Sequence, residues 1–264
     1  MHPIDPKTLT RPSRYPFYIQ LVVFIVILFM SFWFAGFSFI EIFQNLIYSG
    51  RLLSRMFFPP DWAFADNAIN GLIETIQMAI LGSSIGAFFA FPVALLASSI
   101  FTPNMLLRGP ARFILNIVRT IPALVMASLF VAVFGIGNFA GVLALSIFSF
   151  GLISKMLYES IEAIDLGPIE ALISTGGNKL EVLRYAIVPQ ILPQYLSYTL
   201  YAFEVNVRAA AVLGYVGAGG IGQIYERVLA WRQFDRVGMI VIMSFIAVLM
   251  IDYFSSYLRR RLVQ

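Results

Sequence analysis

The sequence predicts an all-α membrane protein with about six transmembrane helices. Three observations carry that prediction. The chain is 59% hydrophobic and only 12% charged, about half the charged share of a water-facing domain. Its mean hydropathy is +0.84. Its uncharged runs at 15–40, 75–107 and 120–154 are each long enough to cross a hydrocarbon core, which takes roughly 20 residues. Composition also excludes chemistries. With no Cys in 264 residues there is no disulfide framework and no thiolate metal site. The single His lies in the N-terminal tail, and no nucleophile stands beside a base, so no catalytic residue and no metal ligand is expected. The net charge of +4 is read as topology, since Lys and Arg gather on the cytoplasmic side of a membrane. No nucleic-acid partner is expected.

The first span is placed at 17–38, after a polar tail with Lys7, Arg11 and Arg14. It is too long for a cleavable leader, and no small-residue cleavage site ends it. Residues 39–70 carry Glu41, Arg51, Arg55, Pro59, Pro60, Asp61 and Asp66 and read as an extramembrane or interfacial connection. The second span, about 71–99, contains Pro92, a kink that neighbouring helices tolerate. Residues 100–118, with Arg108, Pro110 and Arg112, read as a short loop. As one helix the block 120–154 would be about 50 Å long at 1.5 Å per residue, against a core of ~30 Å. FGIGN at 134–138 divides it into a hairpin of spans 119–134 and 138–157. A polar segment follows at 158–193, then spans at 194–216 and 237–258, then a basic tail at 259–264. The natural boundary falls near residue 70. Residues 1–70 hold the tail, the first span and its connection, and 71–258 form a five-span block.

Six spans put both termini on one side. That side then holds twelve of the Lys and Arg residues; the other holds five, Arg51, Arg55, Arg227, Arg232 and Arg236, with Arg208 inside a span. The asymmetry predicts that both termini and the 158–193 segment are cytoplasmic.

Within that segment, Tyr158–Asp165 and Ile169–Thr175 have helical composition. Pro168 suits a first helical turn, with Asp165 near it as a cap. Gly176 and Gly177 break the helix, and Asn178 caps the next one. Leu180, Leu183 and Ile187 recur at helical spacing, and Pro189 and Pro193 close the element. The segment is too long and too periodic for a plain solvated loop. It has an apolar face to bury, and a docking role in a partner's groove fits it.

The pattern Glu170-Ala171-Leu172, three residues, Gly176, then Pro189 thirteen positions on resembles the EAA loop of binding-protein-dependent ABC importer permeases. That loop reads E-A-A, three residues, G, nine residues, I, any, L-P. Leu172, Ala186 and Val188 depart from it by apolar exchanges. The resemblance covers about 70–258, with the first span an addition. It implies the type I importer permease fold and a bacterial inner-membrane location. In that family the loop is a coupling helix seated in a cleft of a cytoplasmic ATPase, which assigns Glu170, Ala171, Leu172, Gly176, Gly177, Lys179 and Pro189 to coupling. It also implies a homodimer of permeases, two cytoplasmic ABC ATPase subunits that use ATP and Mg, an extracytoplasmic substrate-binding protein, and no cofactor on this chain. The run from Glu204 to Arg208, the glycine-rich stretch 212–222, Glu74-Thr75 and Arg119-Thr120-Ile121-Pro122 resemble the phosphonate-uptake branch. Methionine-importer permeases share a similar glycine run and remain an alternative. A self-contained channel or secondary carrier would need matched interrupted helices in two halves, and none is found.

Gly217, Gly219 and Gly222 spell G-x-G-x-x-G, but a dinucleotide site requires a preceding strand. Here, with Gly220, they follow a span on the non-cytoplasmic side and read as a sharp turn or a close backbone approach. No Walker sequence occurs, so ATP hydrolysis belongs to a separate chain. Glu204 and Arg208 are four residues apart and share a helix face. A charged pair inside a span either fixes helix packing or faces a watery path. In the second case Arg208 offers positive potential to an anion. Asn206 lies on a different face of the same helix.

Overall fold

The computed structural model describes residues 15–36 and 38–262. His2, Lys7, Arg11 and Arg14 lie outside them. Every regular element among the described residues is helical. The chain divides into two compact units, one ending at Leu53 and one beginning at Ser54. The division is earlier than residue 70 because the stretch before that point packs into the second unit. There Met56, Phe64, Ala68 and Leu72 share a cluster with Ile221, Val228, Val237 and Ile240.

Helix α1, Tyr15–Phe34, buries none of its residues. Such an apolar surface is stable only where lipid is the solvent. Helix α2, Phe39–Phe57, sets Phe43, Leu46 and Leu53 on one face and Glu41, Gln44, Arg51 and Arg55 on the other, the pattern of an interfacial helix. The expected connection at 39–70 is therefore largely helical.

The second unit is built on α3, Ala65–Ala97, and α6, Asn138–Glu162, which pack along each other. Their contact runs through small residues. A Cβ on Gly82 would fall 2.6 Å from Leu145 Cβ, and one on Gly86 would fall 2.7 Å from the Ser146 carbonyl. Ala79, Ala87, Ala90 and Ala94 are buried on α3. Lipid supplies no hydrophobic drive between helices, so close backbone approach holds them together. Pro92 sits inside α3 without ending it.

Residues 100–118 are not the expected loop. Helix α4 occupies Met105–Thr120, capped by Asn104, whose Oδ1 accepts from Leu106 N at 2.9 Å. Arg108, Pro110 and Arg112 read as loop residues, but Leu115 is fully buried among α3 and α6 residues and anchors the helix. Helix α5, Ala123–Phe134, follows at a bend of 87°. The bend falls where Ile121 precedes Pro122 and is held extended, φ −82°, ψ 120°. Among the described residues four helices, α1, α3, α6 and α11 (Phe234–Leu262), are long and apolar enough to cross a membrane, and the bent pair α4 and α5 passes the same test only when taken together as one broken span or re-entrant loop. The remaining expected span is α9, Val188–Leu213. It is long enough but too polar to join that set, and it lies against α3, α6 and α11.

Candidate functional site

The 158–193 segment has a defined shape. Helix α6 ends at Glu162, and α7, Gly167–Ser174, follows. Asp165 Oδ1 accepts from Gly167 N at 3.0 Å, but the N-cap of α7 is Leu166, so Asp165 braces the turn before the helix and is not its cap. Helix α7 ends in a glycine turn. Gly176 N donates to Ile173 O at 3.0 Å and Gly177 N to Leu172 O at 2.9 Å. Gly176 adopts φ +86°, a conformation that a Cβ disfavours. Helix α8, Lys179–Val182, opens on a capping box. Asn178 Oδ1 accepts from Leu180 N and Glu181 N, and Glu181 Oε2 accepts from Asn178 N at 2.7 Å.

Pro189 does not close this element. The backbone widens into a π-turn at Leu183–Ile187 and passes directly into α9, with Pro189 in the first turn of α9 and Pro193 inside it. Val188 N bonds Leu183 O, five residues back. Pro189 has no N–H and its ring crowds the carbonyl four residues earlier; the wider turn just before it accommodates both. One helical rod therefore joins the polar segment to the bundle.

The segment is two-faced, though not along the line expected. Ile169, Ala186 and Ile187 are buried, and Leu172, Val182 and Leu183 pack on them against α3, α4 and α6. Glu170, Ala171 and Lys179 are exposed. So are Ile173, Leu180 and Tyr185, at 59%, 73% and 61%. Leu180, expected on the buried stripe, thus faces outward. The helix ends beneath are clamped: Arg112 Nε donates to Ala97 O at 2.7 Å, and Glu162 accepts from Arg112, from Ser99 Oγ and from Ser99 N.

In α9, Glu204 is buried and accepts from two guanidinium groups. Arg208 Nη2 lies 2.7 Å from Oε1, and Arg259 Nη2 lies 2.8 Å from Oε2. Arg259 was expected in a tail beyond the last span; it stands near the end of α11, which runs to Leu262. The Arg208 side chain is 46% exposed, and its Nη1 is 4.0 Å from Asp252. Asn206 is fully buried and donates to Ser149 Oγ on α6 at 2.7 Å. The structure therefore joins Glu204 to Arg208 but sends Asn206 elsewhere.

The glycine stretch forms a buried knot at the opposite end of α3 and α6. Gly217, Gly219 and Gly220 all have positive φ. Thr75 Oγ accepts from Ile221 N at 2.8 Å, and Asn138 Oδ1 accepts from Gly220 N at 3.3 Å, which caps α10, Gly220–Ala230. A Cβ on Gly222 would lie 2.0 Å from the Ala211 carbonyl. The turn and the close approach are both realised, in a setting that holds helices and no strand among the described residues.

Residues 86–264 match the family model described as the binding-protein-dependent transport system inner membrane component. The chain belongs to this family. It is a multi-pass inner-membrane transport component, not an enzyme. Among its relatives, the phosphite transport system permease protein PtxC of Stutzerimonas stutzeri is 36% identical over 239 residues, 90% of this chain and 86% of that one. The putative cryptic phosphonate transport system permease protein PhnE2 of Escherichia coli K12 is 42% identical over 121 residues, 46% of this chain and 99% of that one. A chain of the MetNI methionine ABC transporter in an inward-facing conformation superposes with a TM-score of 0.64 at 23% identity. That match covers 74% of this permease and 96% of that chain, and it shows the shared fold.

Two parts of the permease site escaped sequence reading. Arg259 looked like a topology marker because it sits in a run of three Arg; only its distance to Glu204 reveals the pairing. The outward set Ile173, Leu180 and Tyr185 carried no spacing signal, because the glycine turn separates Ile173 from Leu180 and Tyr185 lies within the π-turn, so the three share no continuous helical phase.

Proposed function

We propose that this chain is the membrane-spanning permease subunit of an ATP-driven importer for phosphonate or a related small phosphorus oxyanion. The shape of the 158–193 segment carries this reading. A capped helix pair is seated on the core by Ile169, Leu172 and Ile187 and presents Glu170, Ile173, Leu180 and Tyr185 outward. It leads without a break into α9, which carries the Arg208 cluster. A push on the pair is therefore delivered to the helix beside the path.

In the assembly two copies of the permease pair, and two cytoplasmic ABC ATPase subunits receive the coupling segments. ATP and Mg act in those subunits. An extracytoplasmic binding protein delivers the substrate, and both termini of the permease face the cytoplasm. Nucleotide state biases an inward-to-outward equilibrium of the spans. Glu170, Ala171, Leu172, Gly176, Gly177, Lys179 and Pro189 shape or present the coupling segment, and Arg208 gives an anion a positive wall. The relatives that transport phosphite and phosphonate support the substrate class.

The test is uptake of labelled methylphosphonate or phosphite by the assembled transporter. Arg208→Gln is expected to raise the half-saturating concentration and cut uptake at least ten-fold. Normal uptake by that variant sinks the path role. Failure of the chain to co-purify any ATPase sinks the importer reading and favours a self-contained carrier.

A further inference from the structure

A cavity of about 380 Å³ opens at the end of the second unit opposite the coupling segment, between the start of α3, the end of α10 and the start of α11. Its position follows from the packing. The C-terminal ends of α3 and α6 are clamped beside the coupling segment by Arg112, whereas the cavity is lined by Asn67 on the first turn of α3. The helical stretch Trp62–Ala97 has 36 residues, about 54 Å at 1.5 Å per residue, against a hydrocarbon core of ~30 Å. Its polar first turns thus have length to spare beyond the apolar layer.

The cavity presents donors. Arg236 is held in place: its Nε donates to Asp61 Oδ2 at 3.1 Å, its Nη1 to Gln233 Oε1 at 3.0 Å, and its guanidinium lies over the Phe64 ring at 5.2 Å. Its Nη2 has no acceptor among the described residues. The Arg227 side chain has neither an ion pair nor a hydrogen bond there. The amides of Asn67 and Gln233 add further N–H groups. No carboxylate lines the cavity, and Asp61 offsets only one of its two guanidinium charges. Beside these donors stand Phe64, Ile224, Val228 and Trp231, and Phe64, Ile224 and Val228 belong to the cluster that holds the buried Ala68, Leu72 and Val237. A pocket of this size with a few convergent polar groups on an apolar wall has the form of a small-ligand site.

We propose that this cavity binds an oxyanion carrying a small apolar substituent, such as an alkylphosphonate, as an outer station separate from Arg208. The guanidinium groups of Arg227 and Arg236 take the oxygens as charge-assisted hydrogen bonds, and Phe64, Val228 and Trp231 cover the substituent. The site rests on the oxyanion-import reading for its physiological ligand but not for its chemistry. A bare tetrahedral anion satisfies the donors and leaves the apolar wall uncovered.

Trp231 is one of three Trp residues, which makes the site directly readable. In the full chain in lipid nanodiscs, with Trp33→Phe and Trp62→Phe, Trp231 emission is titrated with methylphosphonate, inorganic phosphate and acetate. We expect a saturable change with methylphosphonate, a weaker one with phosphate and none with acetate. Arg227→Gln should weaken binding at least ten-fold and Arg227→Lys less. Arg227 is exposed and unpaired, so neither variant endangers folding. Absence of a saturable signal, equal binding by Arg227→Gln, or a signal that appears only when a binding protein is added overturns the proposal. The titration needs no ATPase. Saturable binding by a chain that imports no phosphonate upholds the site and counts against the importer reading; phosphonate uptake without a Trp231 response does the reverse.

Discussion

Glu204 on α9 and Arg259 on α11 are joined at 2.8 Å across 55 residues of sequence. Because Arg208 holds the other carboxylate oxygen at 2.7 Å, one buried acid is shared by two cations. Asp252, 4.0 Å from Arg208 Nη1, brings a second and more loosely held carboxylate, so two acids face two guanidinium groups. The Arg208 side chain is nonetheless 46% exposed, which is what the proposed path role requires of it.

Removing Arg259 tests the arrangement. Breaking a buried pair from one side costs about 3–5 kcal/mol. Glu204 retains Arg208 and Arg259 is partly exposed, so Arg259→Gln is expected to cost less, about 1–2 kcal/mol. Thermal unfolding in nanodiscs reads this as a lowered midpoint, with partial recovery in Arg259→Lys. An unchanged midpoint means the pair does not form in the membrane.

Gly222→Ala should fail at folding. Its Cβ would meet the Ala211 carbonyl at 2.0 Å, and backbone cannot rotate away as a side chain does. Overpacking of this kind costs about 1–3 kcal/mol where a core can adjust, and more here. Low membrane accumulation and aggregation on solubilisation are the expected outcome; normal yield contradicts the buried knot.

Gly176→Val behaves differently. No atom lies within 4 Å of the added Cβ, so the penalty is conformational, about 1–2 kcal/mol for a left-handed residue. The strain acts on the turn between α7 and α8, which touches no span. Insertion should survive while stimulation of ATPase activity falls several-fold in the reconstituted assembly. Stimulation equal to the unmodified chain removes this turn from the coupling path.

Leu180→Asp probes the outward face. At 73% exposure the side chain adds little to the isolated subunit, and its stability should change by under about 0.5 kcal/mol. If the face docks on an ATPase, the buried charge should reduce co-purification strongly. Leu183→Asp, which enters the cluster with Ile187, should instead destabilise the subunit itself. Equal behaviour of the two variants would show that the faces are wrongly assigned.

Most of the membrane architecture was legible because lipid imposes a length and an apolarity on each span. The hairpin at FGIGN and the capped turn at Gly176–Asn178 were legible for a related reason: Gly and Asn act on their own backbone, and local chemistry needs no tertiary knowledge. The same local rules misjudged Pro110 and Pro189. In α4 the burial of Leu115 outweighs Pro110, and before α9 a π-turn absorbs the proline.

Composition and periodicity settled the solvent of this chain, the approximate place of its long apolar helices, and the presence of a two-faced polar segment among them. These follow from transfer free energies and backbone propensities, which act residue by residue. The pairing of Glu204 with Arg259, the outward turn of Leu180 and Tyr185, and the meeting of Arg227 with Arg236 around one cavity were decided by packing. Each joins residues whose relative position depends on how helices cross and on where a turn shifts their phase, and neither quantity is written in any single stretch of the chain.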